Sequence, residues 1–289
     1  MRAAVSVLFL ALLAACAHLT APARPAGATL RVMTYNIRLD IASDGANGWA
    51  SRKHLVSQLT RREAPDVLGM QEVLFNQKRD IEAALRGYAF AGVGRDDGAE
   101  AGEYSPVGWR RDRFELVESG TFWLSPNPEE PGKAWDAAYP RIATWVLLRD
   151  RTSGKRLRVI NTHFDHVGTA ARLHSAEMIA DWTKRHSADG AAVVALGDFN
   201  STADDPPVAL LADPARSGTR LARAISAEPP YGPPGTFNAF RIDANEPAAI
   251  DHVLVSSVFA VSRHAVITQH WGGRLPSDHY PVLVDLVWR

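Results

Sequence analysis

The sequence predicts one domain built as an α/β layered sandwich, and three observations lead there. Short apolar, strand-like runs recur along the chain and outnumber the helical patterns. The helical patterns are too few and too unevenly spaced for a strictly alternating parallel fold, yet sufficient to cover the outer faces of sheets. No shift in composition divides the chain after its N-terminal segment. Over 289 residues, 46% are apolar and 22% charged, which is ordinary globular usage and excludes extended disorder, a collagen-like fibre and a coiled coil.

At the N-terminus, Met1 and Arg2 precede an apolar run from Ala3 to Ala15. This run is shorter than the roughly 20 residues that span a bilayer and fits a signal-peptide core. It ends in Leu13-Ala14-Ala15-Cys16, which resembles a bacterial lipobox. The expectation is removal of residues 1–15 and lipidation of Cys16, with an ordinary cleaved signal and secretion as the alternative. Ala17 rather than Asp follows, which in a Gram-negative lipoprotein implies the outer membrane, facing the periplasm. Pro22, Pro25 and Gly27 interrupt a stretch without periodicity, so residues 16–28 read as the lipidated cysteine and a tether. Cys16 is the single cysteine, which excludes an intrachain disulfide and any thiolate-rich zinc or iron–sulfur site.

The folded domain is expected over residues 29–289. Strands are predicted at Leu30–Tyr35, Asp66–Gln71, Val107–Trp109, Leu116–Trp123, Thr144–Leu148, Leu157–Thr162, Ala192–Leu196, Asp251–Val255 and Pro281–Trp288. Helices are predicted at Ser51–Glu63, Asn76–Leu85 and Thr169–Arg185. In the last, Leu173, Ala176, Ile179 or Ala180, and Trp182 form an apolar stripe opposite Arg172, Glu177 and Lys184, the mark of ordinary core packing. Trp109, Trp123 and Trp145 are assigned to the core. Proline and glycine clusters at 125–132 and 229–235 mark surface loops.

Lys plus Arg equals Asp plus Glu at 32 each. There is thus no global positive field to draw in nucleic acid, although local basic patches remain open. Polar residues concentrate at strand ends, in Thr34-Tyr35-Asn36-Ile37-Arg38, Gln71-Glu72, Asn161-Thr162-His163-Phe164-Asp165, Gly197-Asp198-Phe199-Asn200, Ile250-Asp251-His252 and Ser277-Asp278-His279-Tyr280-Pro281. These motifs supply carboxylates, amides and imidazoles but neither a cysteine nucleophile nor a Gly-x-Ser-x-Gly elbow. An incomplete cage of hard oxygen donors suits Mg²⁺, with Mn²⁺ as the alternative, retaining waters and meeting substrate phosphate. Phosphate-ester hydrolysis needs accelerations approaching ~10²¹, whereas one positioned acid or base contributes roughly 10²–10⁴. A cation and preorganised donors are the natural supplement.

Taken in order, the six motifs resemble those of the endonuclease/exonuclease/phosphatase superfamily, over about residues 30–288. The resemblance implies a four-layer α/β/β/α sandwich of two packed mixed sheets, with the site at one edge. It also implies roles. Glu72 is the principal metal ligand, Asn36 the amide ligand or water-orienter beside it, and Asp278 part of the metal shell. Asp198 activates the attacking water, Asn200 contacts phosphate, His163 donates to phosphate or the leaving group, and His279 acts on the reacting phosphate with Asp251 holding it. Arg141 is the weakest candidate, for substrate binding near a sheet end. His166, Asp165 and His252 remain open between function and structure, and Arg38 and Arg172 between pocket and salt bridge.

Other classes fit less well. His163-Phe164-Asp165-His166 resembles half of a metallo-β-lactamase His-x-His-x-Asp-His motif, but Asn161 stands where its first histidine belongs. A calcineurin-like phosphoesterase lacks its Gly-Asn-His sequence here. A catalytically inactive, lipid-anchored binding module would have no reason to retain clustered carboxylates that cost desolvation energy. The expected substrate is a small or lipid-derived phosphomonoester or diester, handled by a monomer. Exported nuclease activity is the alternative, disfavoured by neutral net charge and by the acidic loop Gly94–Glu103 should it border the cleft.

Overall fold

The computed structural model describes residues 29–187, 189–244 and 246–289. The expected signal, tether and Cys16 lie outside the described residues. The first sheet is built from β1 (Thr29–Asn36), β2 (Val67–Gln71), β3 (Tyr88–Ala91), β4 (Val107–Arg110), β11 (Phe259–Val266) and β12 (Val282–Trp288), in the spatial order β11-β12-β1-β2-β4-β3. The second combines β5 (Phe114–Trp123), β6 (Ile142–Asp150), β7 (Arg156–His163), β8 (Ala192–Asp198), β9 (Thr219–Leu221) and β10 (Asp251–Ser256), in the order β5-β6-β7-β8-β10-β9. The β1–β2 and β7–β8 pairs are parallel and the others antiparallel, so both sheets are mixed.

Alternation along the strands sets the layers. On β1, Leu30 and Val32 join the apolar core between the sheets, where they meet Val159, Val194 and Leu196. Met33 and Tyr35 point the other way, toward Val56 and Leu59 of α1 (Trp49–Glu63) and Ile81 of α2 (Phe75–Ala84). On the far side, Ile160 and Ala195 pack beneath Ala176, Ile179 and Trp182 of α3 (Thr169–His186) and Val208 and Leu211 of α4 (Pro206–Ala212). The result is the four-layer α/β/β/α sandwich. Leu173 is only partly buried, and Ala171, Ser175 and Thr183 share the inward face of α3 instead. Small residues let this helix sit close to its sheet. Trp109 and Trp123 are buried as expected, while Trp145 is half-buried and tilts against Trp182.

A polar bridge joins the sheets just below the site. Asn161 Nδ2 donates to the carbonyls of Met70 and Pro106 at 2.7 and 2.9 Å, and Gln71 Nε2 donates to Asn161 Oδ1 at 2.7 Å and Thr34 Oγ1 at 3.0 Å. All three side chains are fully buried, so each polar group needs such a partner. A Cβ on Gly69 would lie 1.9 Å from Leu196 Cδ1 and 2.8 Å from Asn161. The close approach of the sheets therefore requires glycine there.

Candidate active site

The carboxyl ends of β1, β2, β7 and β8 meet the start of β10 and the segment preceding β12 around a cleft of about 680 Å³. Turning sharply out of the strands requires unusual backbone. Arg38, Glu72 and Asn200 all occupy the left-handed region, at φ 58°, 59° and 46°, a costly conformation for non-glycine residues and one that concentrates at functional sites.

Asn36 organises the carboxylates. Its Nδ2 donates to Glu72 Oε1 at 2.9 Å and to Asp198 Oδ2 at 3.0 Å, while its Oδ1 accepts the Arg38 N–H at 3.0 Å. Two carboxylate acceptors on one side and a backbone donor on the other fix the amide's orientation. In this arrangement the Asn36 oxygen faces the Arg38 backbone and its amide nitrogen bridges the two carboxylates. Glu72 Oε2 accepts the Leu39 N–H at 3.1 Å and lies 3.9 Å from Arg38, whose Nε is 3.8 Å from Asp278 Oδ2. Arg38 is itself clamped by Asp44 at 2.9 and 3.0 Å.

Asp198 is central and nearly inaccessible, 1% exposed. Its Oδ1 accepts the Asn200 N–H at 2.9 Å. Its Oδ2 lies 3.8 Å from both His163 Nε2 and His279 Nε2, gaps too long for direct hydrogen bonds and suited to an intervening oxygen. His279 Nδ1 bonds Asp251 Oδ2 at 2.9 Å. Burial opposes charge on this imidazole, but Asp251, then Asp198 and Asp278, outweigh it and raise its pKa well above the ordinary value. Burial, assisted by the charge of Glu72, raises the Asp278 carboxyl above its usual range, although His279 and Arg38 oppose it.

The donor set is that of a hard cation. Asp198, Asp251 and His279 can place ligand atoms within 4.8 Å of one another, but Asp251 Oδ2 is already engaged by His279 Nδ1 at 2.9 Å. Glu72 and Asp278 are the pair left with like charges facing one region, and two carboxylates whose repulsion pushes up a carboxyl pKa fit a divalent ion.

The rest of the cleft was only partly visible from sequence. The 94–103 loop does border it, through Arg95, Asp96, Gly102 and Glu103. Its character is not simply acidic, since Arg95 Nη2 pairs with Glu103 at 2.8 Å. Burial pushes the Glu103 carboxyl up, but contact with His163 and the charges of Arg95 and Arg141 hold it at about 2. The His163 Nδ1–Glu103 separation is 3.6 Å, longer than a hydrogen bond. Arg141 lines the cleft, 4% exposed, with Nε 3.1 Å from Asp165 and Nη2 3.1 Å from His166 Nδ1. Asp165 also accepts the N–H groups of Ala138, Val167 and Gly168, so it shapes a loop, and Arg172 donates to its carbonyl. His252 is buried with Nε2 2.9 Å from the Ser201 carbonyl. Tyr139 and Phe237, not anticipated, supply exposed aromatic faces on the cleft walls.

Residues 33–279 match the family model described as Endonuclease/Exonuclease/phosphatase family. A solved family protein from Bacteroides vulgatus is 38% identical, with a TM-score of 0.84, covering 90% of this chain and 99% of that one. A Bacteroides thetaiotaomicron mannosyl-6-phosphatase is 35% identical, with a TM-score of 0.85, covering 90% and 100%. An uncharacterised protein of Acanthamoeba polyphaga mimivirus is 29% identical over 119 residues, which is 35% of this chain but only 17% of the length of that curated relative. The match to the family model runs from the strand carrying Asn36 to His279 itself, and the carboxylates and imidazoles between them share one cleft: the chain belongs to the Endonuclease/Exonuclease/phosphatase family of phosphoesterases.

Proposed function

We propose that this protein hydrolyses a small phosphomonoester, of the sugar-phosphate class, by metal-assisted attack of water on phosphorus. The carrying observation is the placement of Asp198 Oδ2 at 3.8 Å from both His163 Nε2 and His279 Nε2, which leaves room for one oxygen among a carboxylate and two imidazoles. Glu72 and Asp278 would hold Mg²⁺ or Mn²⁺, which when bound polarises phosphoryl oxygens and offsets developing charge. Asp198, oriented by Asn36 and the Asn200 N–H, takes the proton of the attacking water. His279, kept charged by Asp251, donates through Nε2 to a phosphoryl oxygen. His163 donates toward the departing oxygen, and Asn200, whose Nδ2 bonds the Phe164 carbonyl at 3.0 Å, offers its second N–H to phosphate.

Two features favour a monoester. Arg95 and Arg141, both more than nine-tenths buried, line one side of the cleft. Burial and the like charge of Arg141 lower the Arg95 pKa, a repulsion that a dianionic phosphate relieves better than a diester. The cleft also has the size of a small-ligand pocket, with Tyr139 and Phe237 as faces for a sugar. The 35% identical mannosyl-6-phosphatase supports the same class.

The test is a panel of hexose phosphates, bis-p-nitrophenyl phosphate, plasmid DNA and RNA, assayed with Mg²⁺, Mn²⁺ or EDTA. We expect metal-dependent release of phosphate from a hexose monophosphate, reduced at least ~100-fold in Asp198→Asn. Cleavage of DNA or RNA that falls steeply with salt, without monoester turnover, would replace this reading with a nuclease.

A further inference from the structure

The pole of the sandwich opposite the cleft carries positive charge that the protein leaves unneutralised. At about 3.3 Å per residue, β1 puts Thr29 roughly 25 Å from the site. The end of α1, the α2–β3 link, the β4–β5 turn and the β6–β7 turn gather at the Thr29 end. Arg113 Nη1 donates to the Thr29 carbonyl at 2.8 Å, and the Arg151 N–H bonds the Arg113 carbonyl at 2.9 Å.

Some arginines here are spent internally: Arg110 on Asp112, Arg113 on Asp66 and Asp150, and Arg149 on Glu115. Arg61, Arg62, Arg86, Arg111, Arg151 and Lys155 are all exposed and form no close ion pair with a carboxylate among the described residues, although Glu115 lies within reach of the Arg151 charge. In a chain with 32 basic and 32 acidic residues, that concentration is local.

It surrounds a groove. Where the edges of the two sheets part, a cavity of about 740 Å³ is lined by Arg86, Arg111 and Arg151 together with Glu82, and by Phe90 and the buried Trp109 and Phe114. Arg111 Nε donates to the Tyr88 carbonyl at 2.7 Å and Arg151 Nε to the Arg111 carbonyl at 3.1 Å, which leaves their terminal nitrogens for an outside acceptor. Leu116, which lines the groove, and its neighbour Val117 are 40% and 53% exposed. Cationic donors around an apolar floor match the boundary between phosphate headgroups and acyl chains.

We propose that this pole is a docking surface for anionic phospholipid. The guanidinium groups of Arg86, Arg111 and Arg151 bind headgroup phosphates, and Leu116 and Val117 reach below them. The route of the chain selects a bilayer over other polyanions. Only residues 17–28 lie between Cys16 and Thr29, so an acyl anchor at the expected position attaches to the fold at this pole, the end that starts nearest the membrane. The cleft then faces the soluble phase. Asp112 and Glu115 interleave the basic residues and break up the continuous track that a nucleic-acid strand requires.

The experiment is cosedimentation of the full chain with neutral phosphatidylcholine vesicles and with vesicles in which about a third of the lipid is phosphatidylglycerol. Any N-terminal anchor contributes to both, so the difference reports the surface. Each basic residue near an anionic leaflet strengthens binding roughly five-fold. We expect clear preference for the anionic vesicles, lost at high salt, and at least ~100-fold weaker in Arg86→Glu/Arg111→Glu/Arg151→Glu at an unchanged melting temperature. If the triple variant melts early, Arg86→Glu alone, a side chain with no intramolecular hydrogen bond described, should still weaken the preference several-fold. Equal binding to both vesicles, or an undiminished preference in a folded variant, overturns the proposal. Tighter retention on duplex DNA than on anionic vesicles, abolished by the same variant, reassigns the surface to nucleic acid and overturns it too. None of these readouts depends on turnover in the cleft.

Discussion

In the proposed mechanism Asp251 acts on the reaction through a single side chain, His279, which makes its role separable. Its Oδ2 at 2.9 Å is the first of the influences that outweigh burial and raise the pKa of the imidazole. Asp251→Asn removes the charge while retaining the shape. Burial then dominates and the His279 pKa falls, so deprotonation occurs at lower pH. The alkaline limb of the kcat profile should move to lower pH and the maximum should drop by roughly 10²–10⁴; a limb that stays in place would remove His279 from its role as the charged donor. Asn36→Asp tests the neighbouring contact. It replaces the amide NH2 that donates to both Glu72 and Asp198 with a third carboxylate, and turnover should fall at least ~100-fold. Raising the metal concentration should recover part of that loss, because the added repulsion is electrostatic.

At the scale of elements, the site depends on how α1 is tied to the two loops that carry the chemistry. Arg52, in the body of α1, is 1% exposed. It donates to the carbonyls of Ile37, Arg38, Leu39 and Asn47, and to that of Pro276 just before Asp278. One guanidinium thus fixes the segment after β1 against the segment before β12, with Gln77 of α2 adding a bond to the Arg38 carbonyl at 2.9 Å. Arg52→Met leaves several carbonyls without a donor, each costing about 1–3 kcal/mol if it stays buried. We expect about 3 kcal/mol of destabilisation by urea titration and a loss of kcat, with Arg52→Lys recovering part of both. This also marks the limit of what the sequence discloses. Asn36, Glu72, Asp198 and His279 were legible because polar residues at the ends of apolar strands have a local signature. Arg52 and Arg95 were not, since an arginine in a helix or an acidic loop reads as solvated until the fold closes over it. Strand β11 was missed because Ser262, Arg263 and His264 interrupt its apolar pattern, and a bulge between Val261 and Arg263 absorbs the irregularity. Strands β3 and β9, four and three residues long, are too short to establish a period.

Over the whole molecule, packing of the sheets and burial of histidines set the stability. Gly69→Ala would force Leu196 and the Asn161 bridge apart, and overpacking of this kind costs about 1–3 kcal/mol. The pH dependence is more specific. His264, in the strand next to β12, is 4% exposed; burial, with the nearby charges of Arg223 and His252, lowers its pKa to about 3. In the unfolded chain the same group titrates near 6.5. Between those values the unfolded state binds a proton that the native state refuses. His264 therefore imposes no penalty above pH 6.5 and destabilises progressively below it, by up to about 1.4 kcal/mol per pH unit. His252, also shifted down by burial, adds a slope of the same sign. His279 has the opposite sign: its raised pKa contributes stability that is complete below the unfolded value and is lost as pH rises through the folded one. The protein should accordingly be most stable near neutrality and lose stability steeply toward pH 4. Urea titrations of the wild type and His264→Leu at pH 7.5, 6 and 5 should show the wild type losing stability relative to the variant as pH falls, because the variant lacks the group whose protonation drives unfolding. Parallel curves would mean that the imidazole of His264 is solvated and that the acid sensitivity arises elsewhere.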